Sequence, residues 1–478
     1  MTVTGATAQS RPVVEVRSID YVPPSERHGK VWYQGPFWFT GNFVLATMVT
    51  GFIGPSIGLA VGWSVLAVSL GASFGTLFMC FHANQGPTMG LPQMIQSRAQ
   101  WGVRGAIFPF IAVVFVYIGF NVFDVILAAE GFDTVLPAPN AVWYVVIVAV
   151  SVLIAIVGFD LLMLVQRWLS YLLIAVFAVI TIRAVQSLDL GSQIPQGGSF
   201  SGASFLIVFA AAAGYQISYA VYVSDYSRYL PEDSSAVGVI LWTYLGAAGS
   251  AIWLMSLGAV LGSALPSTDV VTTVRQVGDS LFSGFGTFTV IVSAIALVTI
   301  MSVNAYGAML TSASGVDAFK KVRPTVGLRV TGIVVVSAIA FVVALSIPED
   351  YLGSFNNFVI LMLYFLVPWT AVNLVDYYFV RHGHYAILEI FNPSGIYHRW
   401  AWRGLVAYFA GLACMVPFVA LSFFQGPVTK LLGGADISFA VGLAVAGGLY
   451  YLFSRSLDLS AERVAVQESR AALANAAP

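Results

Sequence analysis

Residues 201–231 read SGASFLIVFAAAAGYQISYAVYVSDYSRYLP, and this stretch decides the fold. No residue between Gly202 and Asp225 is charged, so the segment is long enough for one bilayer crossing at about 1.5 Å per residue. Its middle, GYQISY at 214–219, still brings an amide, a hydroxyl and two phenols to mid-bilayer, where lipid offers no hydrogen-bond partner. The pattern predicts either an interrupted helix facing a solute cavity or a continuous helix bonded to its neighbours.

The composition of the whole chain points to the same environment. Only 9% of the 478 residues are charged and 58% are hydrophobic, whereas a soluble chain carries about a quarter charged residues. We therefore expect an all-α polytopic membrane protein whose partners include the lipid bilayer and no nucleic acid. No GxxxxGK loop and no arrangement for covalent chemistry is present, so we expect neither an enzyme nor a cofactor.

Apolar runs separated by turn residues predict twelve transmembrane helices. Their approximate bounds are 36–54, 60–83, 106–129, 141–159, 161–182, 203–226, 236–264, 285–312, 328–347, 355–380, 403–423 and 436–453. With the amino terminus inside, the inner segments hold eighteen Lys and Arg residues, and the outer side keeps only Arg183, Arg275 and Lys430. Because basic loops stay in the cytoplasm, we expect both termini on the cytoplasmic side of the cell (inner) membrane.

Three motifs resemble one transporter family. SDYSRYLP at 224–231, GLPQM at 90–94 followed by SRAQWGVRG at 97–105, and DYYFVR at 376–381 are similar to the signatures of the purine–cytosine permeases, in the nucleobase:cation symporter-1 family. The resemblance implies a five-plus-five inverted repeat in which helices one and six are broken, followed by two extra helices. A polar, glycine-containing middle in both of these helices agrees with it.

The same resemblance divides the chain. Residues 1–30 form a polar cytoplasmic segment, residues 31–455 the transporter domain, and residues 456–478 a cytoplasmic tail. Within the domain, repeat one covers about 36–185, repeat two about 201–380, and the extra helices about 400–455.

Polar residues inside the membrane helices are the candidate substrate site. Tyr117 and Asn121 lie one turn apart on helix three, and in the family this pair stacks on the solute ring and hydrogen-bonds it. The resemblance gives Asn304 of helix eight a second amide role. It gives Gln216 and Tyr219 of helix six the positions that face the ring. The full set of predicted substrate residues is Asn42, Tyr117, Asn121, Gln216, Tyr219 and Asn304. The alternative for each is an interhelical hydrogen bond.

A coupling cation has two candidate positions. Asp124 of helix three is a carboxyl group inside the membrane and a candidate proton carrier, although a salt-bridged or water-exposed Asp124 is an equal alternative. The resemblance implies a Na⁺ site between backbone carbonyls near Thr40 and Phe43 and the hydroxyl of Ser302. The neighbouring position is Val303, which removes one oxygen ligand and weakens the sodium interpretation.

Leu363 and Tyr364 of helix ten are bulky enough for a thin outer gate, and ordinary packing is their alternative role. Together these residues lead us to expect a secondary active transporter that imports a nucleobase or related planar heterocycle with H⁺ or Na⁺ by alternating access. The alternatives are a permease for another small solute, such as allantoin, hydantoin, pyridoxine or an amino acid, and a non-transporting membrane receptor.

Overall fold

The computed structural model describes residues 20–157, 159–187, 200–265, 269–322 and 325–475. The basic residues Arg11, Arg17 and Arg323, which entered the orientation prediction, lie outside the described residues. The described chain is almost entirely helical. Its one sheet is the short hairpin of β1 (Ala420–Leu421) and β2 (Phe424–Gln425).

Twelve apolar helices, numbered α1 to α12, follow the order expected from the sequence. They are α1 in two parts (Gln34–Gly41 and Leu45–Ser56), α2 (Val61–Ala83), α3 (Ile107–Asp133), α4 (Asn140–Val157), α5 (Phe159–Ser187), α6 (Gly202–Ile217, continued by Val223–Ser227), α7 (Ala236–Ala264), α8 (Phe285–Asp317), α9 (Val326–Ala344), α10 (Leu352–Val375), α11 (Trp402–Met415) and α12 (Ser438–Ser454).

Length and composition support a membrane-spanning role for these helices. Among the described residues, the nine from α2 to α10 are each long and apolar enough to cross a bilayer, and the two parts of α1 pass the same test together. The remaining two are shorter, since α11 with its last turn covers Trp402–Phe418 and α12 has 17 residues. The structure is therefore consistent with the twelve predicted crossings.

Helix α1 is broken, as expected. Its two parts meet at 61°, and residues 42–44 between them are not helical. Asn42 organises this break: its side chain donates to the Ala247 carbonyl of α7 (3.0 Å), and its own carbonyl accepts from the Thr47 hydroxyl (2.7 Å). Backbone groups released by a break need such partners, because lipid supplies none.

Helix α6 is interrupted slightly later than the sequence suggested. It is regular to Ile217, tightens into a 3₁₀ turn at Ser218–Val221, and leaves helical geometry at Tyr222 (φ −137°, ψ 7°) before Val223–Ser227. Gly214 lies inside the regular part and does not break it. A Cβ there would lie 2.0 Å from the Val359 carbonyl oxygen, so this glycine allows α10 to pack against α6.

The helices form two groups that meet along the broken pair. The second part of α1 and helix α2 both pack along α7, and α6 packs along α2. Gly75 of α2 permits part of this approach, since a Cβ there would lie 2.4 Å from the Ala213 carbonyl oxygen. On the other side α3 packs along α8, with α9 against both. Within the first group, α1 and α6 lie on the side that faces the second group, since both contribute to the cavity wall together with α3 and α8.

Two of the signature motifs contact each other at the end of α6. The Gln93 backbone amide donates to the Asp225 carboxylate (2.8 Å), and the Ser224 hydroxyl donates to the Gln93 side-chain oxygen (2.6 Å). The segment 84–105 between α2 and α3 is thus fastened to the short last part of α6. The two motifs, which are distant in the sequence, therefore form one interface in the structure.

The third motif anchors the end of α10 to the carboxyl-terminal region. Arg381 makes ion pairs with Asp376 and with Glu462, the second at 2.6 Å, and Asp376 also accepts from the Tyr450 hydroxyl (2.8 Å). Glu462 belongs to a terminal helix, Leu459–Asn475, within the predicted tail. This helix is fastened by a buried charge network, which positions it against the end of α10.

Candidate substrate site

One cavity lies between the two helix groups. Its volume is about 700 Å³, and its wall comes from α1 and the residues just before it, α3, α5, α6 and α8. Half of its 22 wall residues are aromatic. They are Trp32, Tyr33, Phe37, Trp38, Tyr117, Phe120, Tyr171, Tyr215, Tyr219, Tyr222 and Tyr226. A chamber of this size and lining suits a flat apolar ring with a polar edge.

The cavity opens where α1 begins and α6 ends. Trp32 and Tyr33, just before α1, lie in its wall and remain 49% and 48% exposed. At the opposite end Phe120 packs edge-on against Phe358 of α10, with ring centroids 5.4 Å apart. Phe123 and Phe355 extend this phenyl cluster, so that end is filled by side chains.

Two near-parallel rings lie inside the cavity. The phenols of Tyr117 on α3 and Tyr222 at the break of α6 have centroids 5.6 Å apart and planes inclined by 20°. Trp38 of α1 meets the Tyr219 ring edge-on at 6.1 Å and the Tyr226 ring at 5.4 Å. The break in α6 therefore places an aromatic face opposite Tyr117, across the line between the two helix groups.

Asp124 is the charged residue of the cavity wall. It is only 2% exposed, and the 22 wall residues include no Lys, Arg or His. Within the described part of the chain, its Oδ2 atom has no hydrogen-bond partner. An unpaired charge in hydrocarbon costs at least about 2.5–3.5 kcal/mol, so this carboxyl group requires a solute, a proton or an ion.

Comparison with known proteins assigns the chain to a family. Residues 21–442 match the model of the family described as permeases for cytosine/purines, uracil, thiamine and allantoin. The chain belongs to this family. The permease is 40% identical over 446 residues to YxlA of Bacillus subtilis, a candidate purine–cytosine permease, covering 92% of this chain and 96% of that one. It is 25% identical over 475 residues to the purine–cytosine permease FCY2 of Saccharomyces cerevisiae, covering 93% and 86%.

Solved structures show the same fold. The inward-facing conformation of Mhp1 superposes with a TM-score of 0.75 at 16% identity, covering 96% of the permease and 98% of Mhp1. A second structure of Mhp1, a nucleobase-cation-symport-1 family transporter, shows a closed conformation with bromovinylhydantoin bound. It superposes with a TM-score of 0.73 at 17% identity, covering 95% of the permease and 99% of Mhp1. The chain is therefore a multi-pass membrane transporter of small heterocycles with this fold, and it is not an enzyme.

The structure brings five of the predicted site residues to the cavity. Thr40, Tyr117, Asp124, Tyr219 and Asn304 all lie in its wall. They come from four helices, α1, α3, α6 and α8.

Three predicted amides lie behind the wall. Asn42 and Gln216 both donate to the Ala247 carbonyl of α7, each at 3.0 Å, so they join α1 and α6 to their neighbour. Asn121 donates to the Met301 carbonyl of α8 (3.2 Å), and its Oδ1 atom has no partner among the described residues. Asn121 and Gln216 each keep an amide oxygen that has no hydrogen-bond partner among the described residues.

The residues predicted for a sodium site have local partners. The Thr40 hydroxyl donates towards the Pro36 and Phe37 carbonyls, and the Ser302 hydroxyl donates to the Val298 carbonyl (3.0 Å). The side chain of Phe43 packs among Phe39, Phe177 and Trp253 and lies outside the cavity wall. Val303 does lie in the wall, beside Ser302, and its side chain offers no oxygen.

The two residues predicted for a gate lie away from the cavity wall. Leu363 is fully buried and lies beside Gly214 at the contact between α10 and α6. Tyr364 donates to the Asp436 carboxylate, just before α12, and its hydroxyl accepts the Ala420 amide proton (2.9 Å). The two phenyl rings that α10 does contribute to the closed end, Phe355 and Phe358, come from an earlier part of that helix.

Sequence reasoning missed several residues of the wall. Tyr215, Tyr222 and Tyr226 line the cavity together with the predicted Tyr219. Spacings of four, three and four residues place four tyrosines on one helical face, and this pattern was visible in the sequence. Trp38 had no such signal, because its position depends on how α1 is rotated against α6.

Proposed function

We propose that this permease imports a nucleobase or related planar heterocycle, cytosine-like or purine-like, together with a cation by alternating access. The observation that supports it best is the cavity itself. A ring-sized chamber with two near-parallel phenol faces and one unpaired carboxyl group lies at the break of α6. A flat solute with hydrogen-bonding edges fits each of these features.

Stacking would hold the ring of the solute. Tyr117 and Tyr222 now lie 5.6 Å apart, closer than two rings with a third between them. A heterocycle that enters between them must separate α3 from the break of α6, and it then gains contact on both faces. We expect Asn304, in the wall, to bond the ring edge, and Asn121 to join it through its amide oxygen, which has no partner among the described residues.

A proton is the coupling ion that we favour. Apart from the tyrosines, Asp124 is the one titratable residue in the described cavity wall. Its Oδ2 atom has no hydrogen-bond partner among the described residues. A sodium ion would need oxygen ligands near Thr40, Phe43 and Ser302, and the adjacent Val303 supplies none. The coupling ion stabilises the loaded carrier because the two conformations bind it with different affinity.

The two access states follow from the helix groups. In the present state the cavity opens at the end that carries the basic segments, which we propose is the cytoplasmic side of the cell (inner) membrane, with both termini inside. Separation of the phenyl cluster of Phe120, Phe123, Phe355 and Phe358 would open the other end. Rocking of one group against the other would then alternate access to the same site.

Uptake into proteoliposomes tests this proposal. Purified protein is reconstituted, and uptake of radiolabelled cytosine, adenine, hypoxanthine and allantoin is measured under an imposed proton gradient, an imposed sodium gradient, or neither. We expect accumulation of a nucleobase driven by the inward proton gradient. Accumulation of allantoin alone would contradict the substrate class, and accumulation driven by sodium alone would contradict the proton.

A further inference from the structure

We propose that Asp124 recognises the base as a neutral carboxyl group. It donates one hydrogen bond to the ring edge of the base and accepts another from the same edge. The edge required is one on which an N–H group and an acceptor lie side by side. This inference rests on the proposed function. It gives the Asp124 side chain two roles, recognition of the base and binding of the coupling proton.

The position of Asp124 is the first observation. It lies in the wall of the cavity on α3, as Tyr117 does, and Tyr215 and Tyr219 of α6 belong to the same wall. Asp124 is 98% buried and its Oδ2 has no partner in the described chain. A buried oxygen without a partner costs free energy that a bound ligand with an N–H group recovers.

The titratable neighbours are the second observation. Every other titratable group in the described cavity wall is a tyrosine phenol. These tyrosines belong to the segment before α1 and to α3, α5 and α6. They are Tyr33, Tyr117, Tyr171, Tyr215, Tyr219, Tyr222 and Tyr226. Helix α8 brings only Ile300, Val303 and Asn304, and α10 brings no residue to the wall. The described cavity wall brings no cationic side chain to Asp124, so the neutral acid avoids the cost of an unpaired charge.

The two protonation states of a carboxyl group recognise different edges. A carboxylate presents two acceptors, whereas the neutral acid presents one donor and one acceptor. Cytosine and adenine have an amino group beside an unprotonated ring nitrogen, and hypoxanthine and uracil have a ring N–H beside a carbonyl. Since the acid proton resides on either oxygen, the neutral carboxyl group pairs with both kinds of edge. A side-chain amide reads the N–H and acceptor of adenine in the same two-bond manner.

Coupling follows from this pairing. The proton that completes the donor on Asp124 comes from the solution on the side where the base enters. It leaves to the other side when the base departs and the unpaired acid ionises. One proton therefore moves with each base, and the only bond made and broken is the O–H bond of Asp124. Binding of the proton and binding of the base strengthen each other by the same factor, as linkage requires.

Wild-type protein gives the first test. Binding of adenine to the purified permease is measured between pH 5.5 and 8.5. Adenine affinity should fall about tenfold per pH unit above the titration of Asp124, because raising the pH removes the required proton.

Two substitutions give the second test. Asp124→Asn retains a donor and an acceptor without a titratable proton, so adenine should still bind, with an affinity that changes less than about twofold across the pH range. Uptake by this variant should no longer respond to a proton gradient. Asp124→Ala removes both groups and should weaken adenine binding at least about tenfold at every pH. Glu130→Gln, on the same helix and outside the cavity wall, should behave as wild type.

Each outcome decides one of the two proposals. Adenine affinity that does not change with pH in the wild type, or a pH dependence in Asp124→Asn equal to that of wild type, overturns the assignment of Asp124 and leaves nucleobase transport standing. If wild-type protein binds none of cytosine, adenine and hypoxanthine, the proposed function itself fails. The pH dependence of wild-type binding needs no variant, so poor folding of a mutant does not remove the test.

Discussion

Replacing Gly214 by alanine should hold the cavity open at the end that is now closed. A Cβ at this position would lie 2.0 Å from the Val359 carbonyl oxygen of α10, whereas ordinary contact begins at 3.4 Å. The two backbones must therefore separate by about 1.4 Å. Because the atom in the way belongs to the backbone, no change of side-chain rotamer relieves the contact. Helix α10 also carries Phe355 and Phe358, so its displacement loosens the phenyl cluster.

The size of the effect follows from the cost of overpacking. Inserting one methyl group into a close helix contact costs typically about 1–3 kcal/mol. If the state with the outer end open relieves this contact, the equilibrium moves towards that state by about 5-fold to 150-fold. The protein should remain folded, because the strain falls on one helix pair and the rest of the two groups keep their contacts.

Cysteine labelling measures this shift. Cys80 and Cys414, the two cysteines of the chain, are replaced by serine, and Ala46 in the cavity wall becomes the one cysteine. A membrane-impermeant maleimide added from the outer side should label Gly214→Ala at least about fivefold faster than its parent. Gly353→Ala on α10, the helix that Gly214 contacts, is the matched control, since nothing lies within 4 Å of its Cβ. Equal labelling of Gly214→Ala and its parent would refute the reasoning.

Three further substitutions probe the site and its support. Asn121→Ala should abolish measurable heterocycle binding in an equilibrium assay while expression stays intact, and unchanged affinity would remove this residue from the site. Tyr222→Ala should weaken binding about 3-fold to 10-fold through lost stacking, whereas Tyr222→Phe keeps the ring face and should bind as wild type. Arg381→Ala leaves Asp376 buried beside no counter-charge, so the free energy of unfolding in detergent should fall by about 3–5 kcal/mol; a melting temperature equal to wild type would contradict this.

Much of the architecture could be predicted from the sequence. Continuous apolar runs and turn residues located the helix ends to within about five residues, because a segment without charges that is long enough to cross a bilayer has few other stable conformations. The exception is α11, predicted to end at 423, which ends at Met415 because a 3₁₀ turn and the hairpin of β1 and β2 follow it. The family resemblance, with which the polar groups in the middle of the first and sixth helices agree, correctly implied the broken pair. The motifs around Gln93, Asp225 and Asp376 identified the family, and the structure shows that these residues form contacts at helix ends.

The details of the site depended on tertiary structure. Helical spacing grouped Tyr117, Asn121 and Asp124 on one face, and the structure places Tyr117 and Asp124 in the cavity wall with Asn121 bonded to α8. Asn42 and Gln216 are as polar as the wall residues, yet both donate to α7.

The sequence by itself determined where the chain crosses the membrane and which helices are interrupted, since hydropathy and backbone hydrogen bonding are local requirements. Only the tertiary structure decided which polar groups face the solute, because that depends on how each helix is rotated against its neighbours. Small differences in rotation separate an amide that bonds to an adjacent helix from a carboxyl group, such as that of Asp124, that lies in the cavity wall without a partner in the described chain.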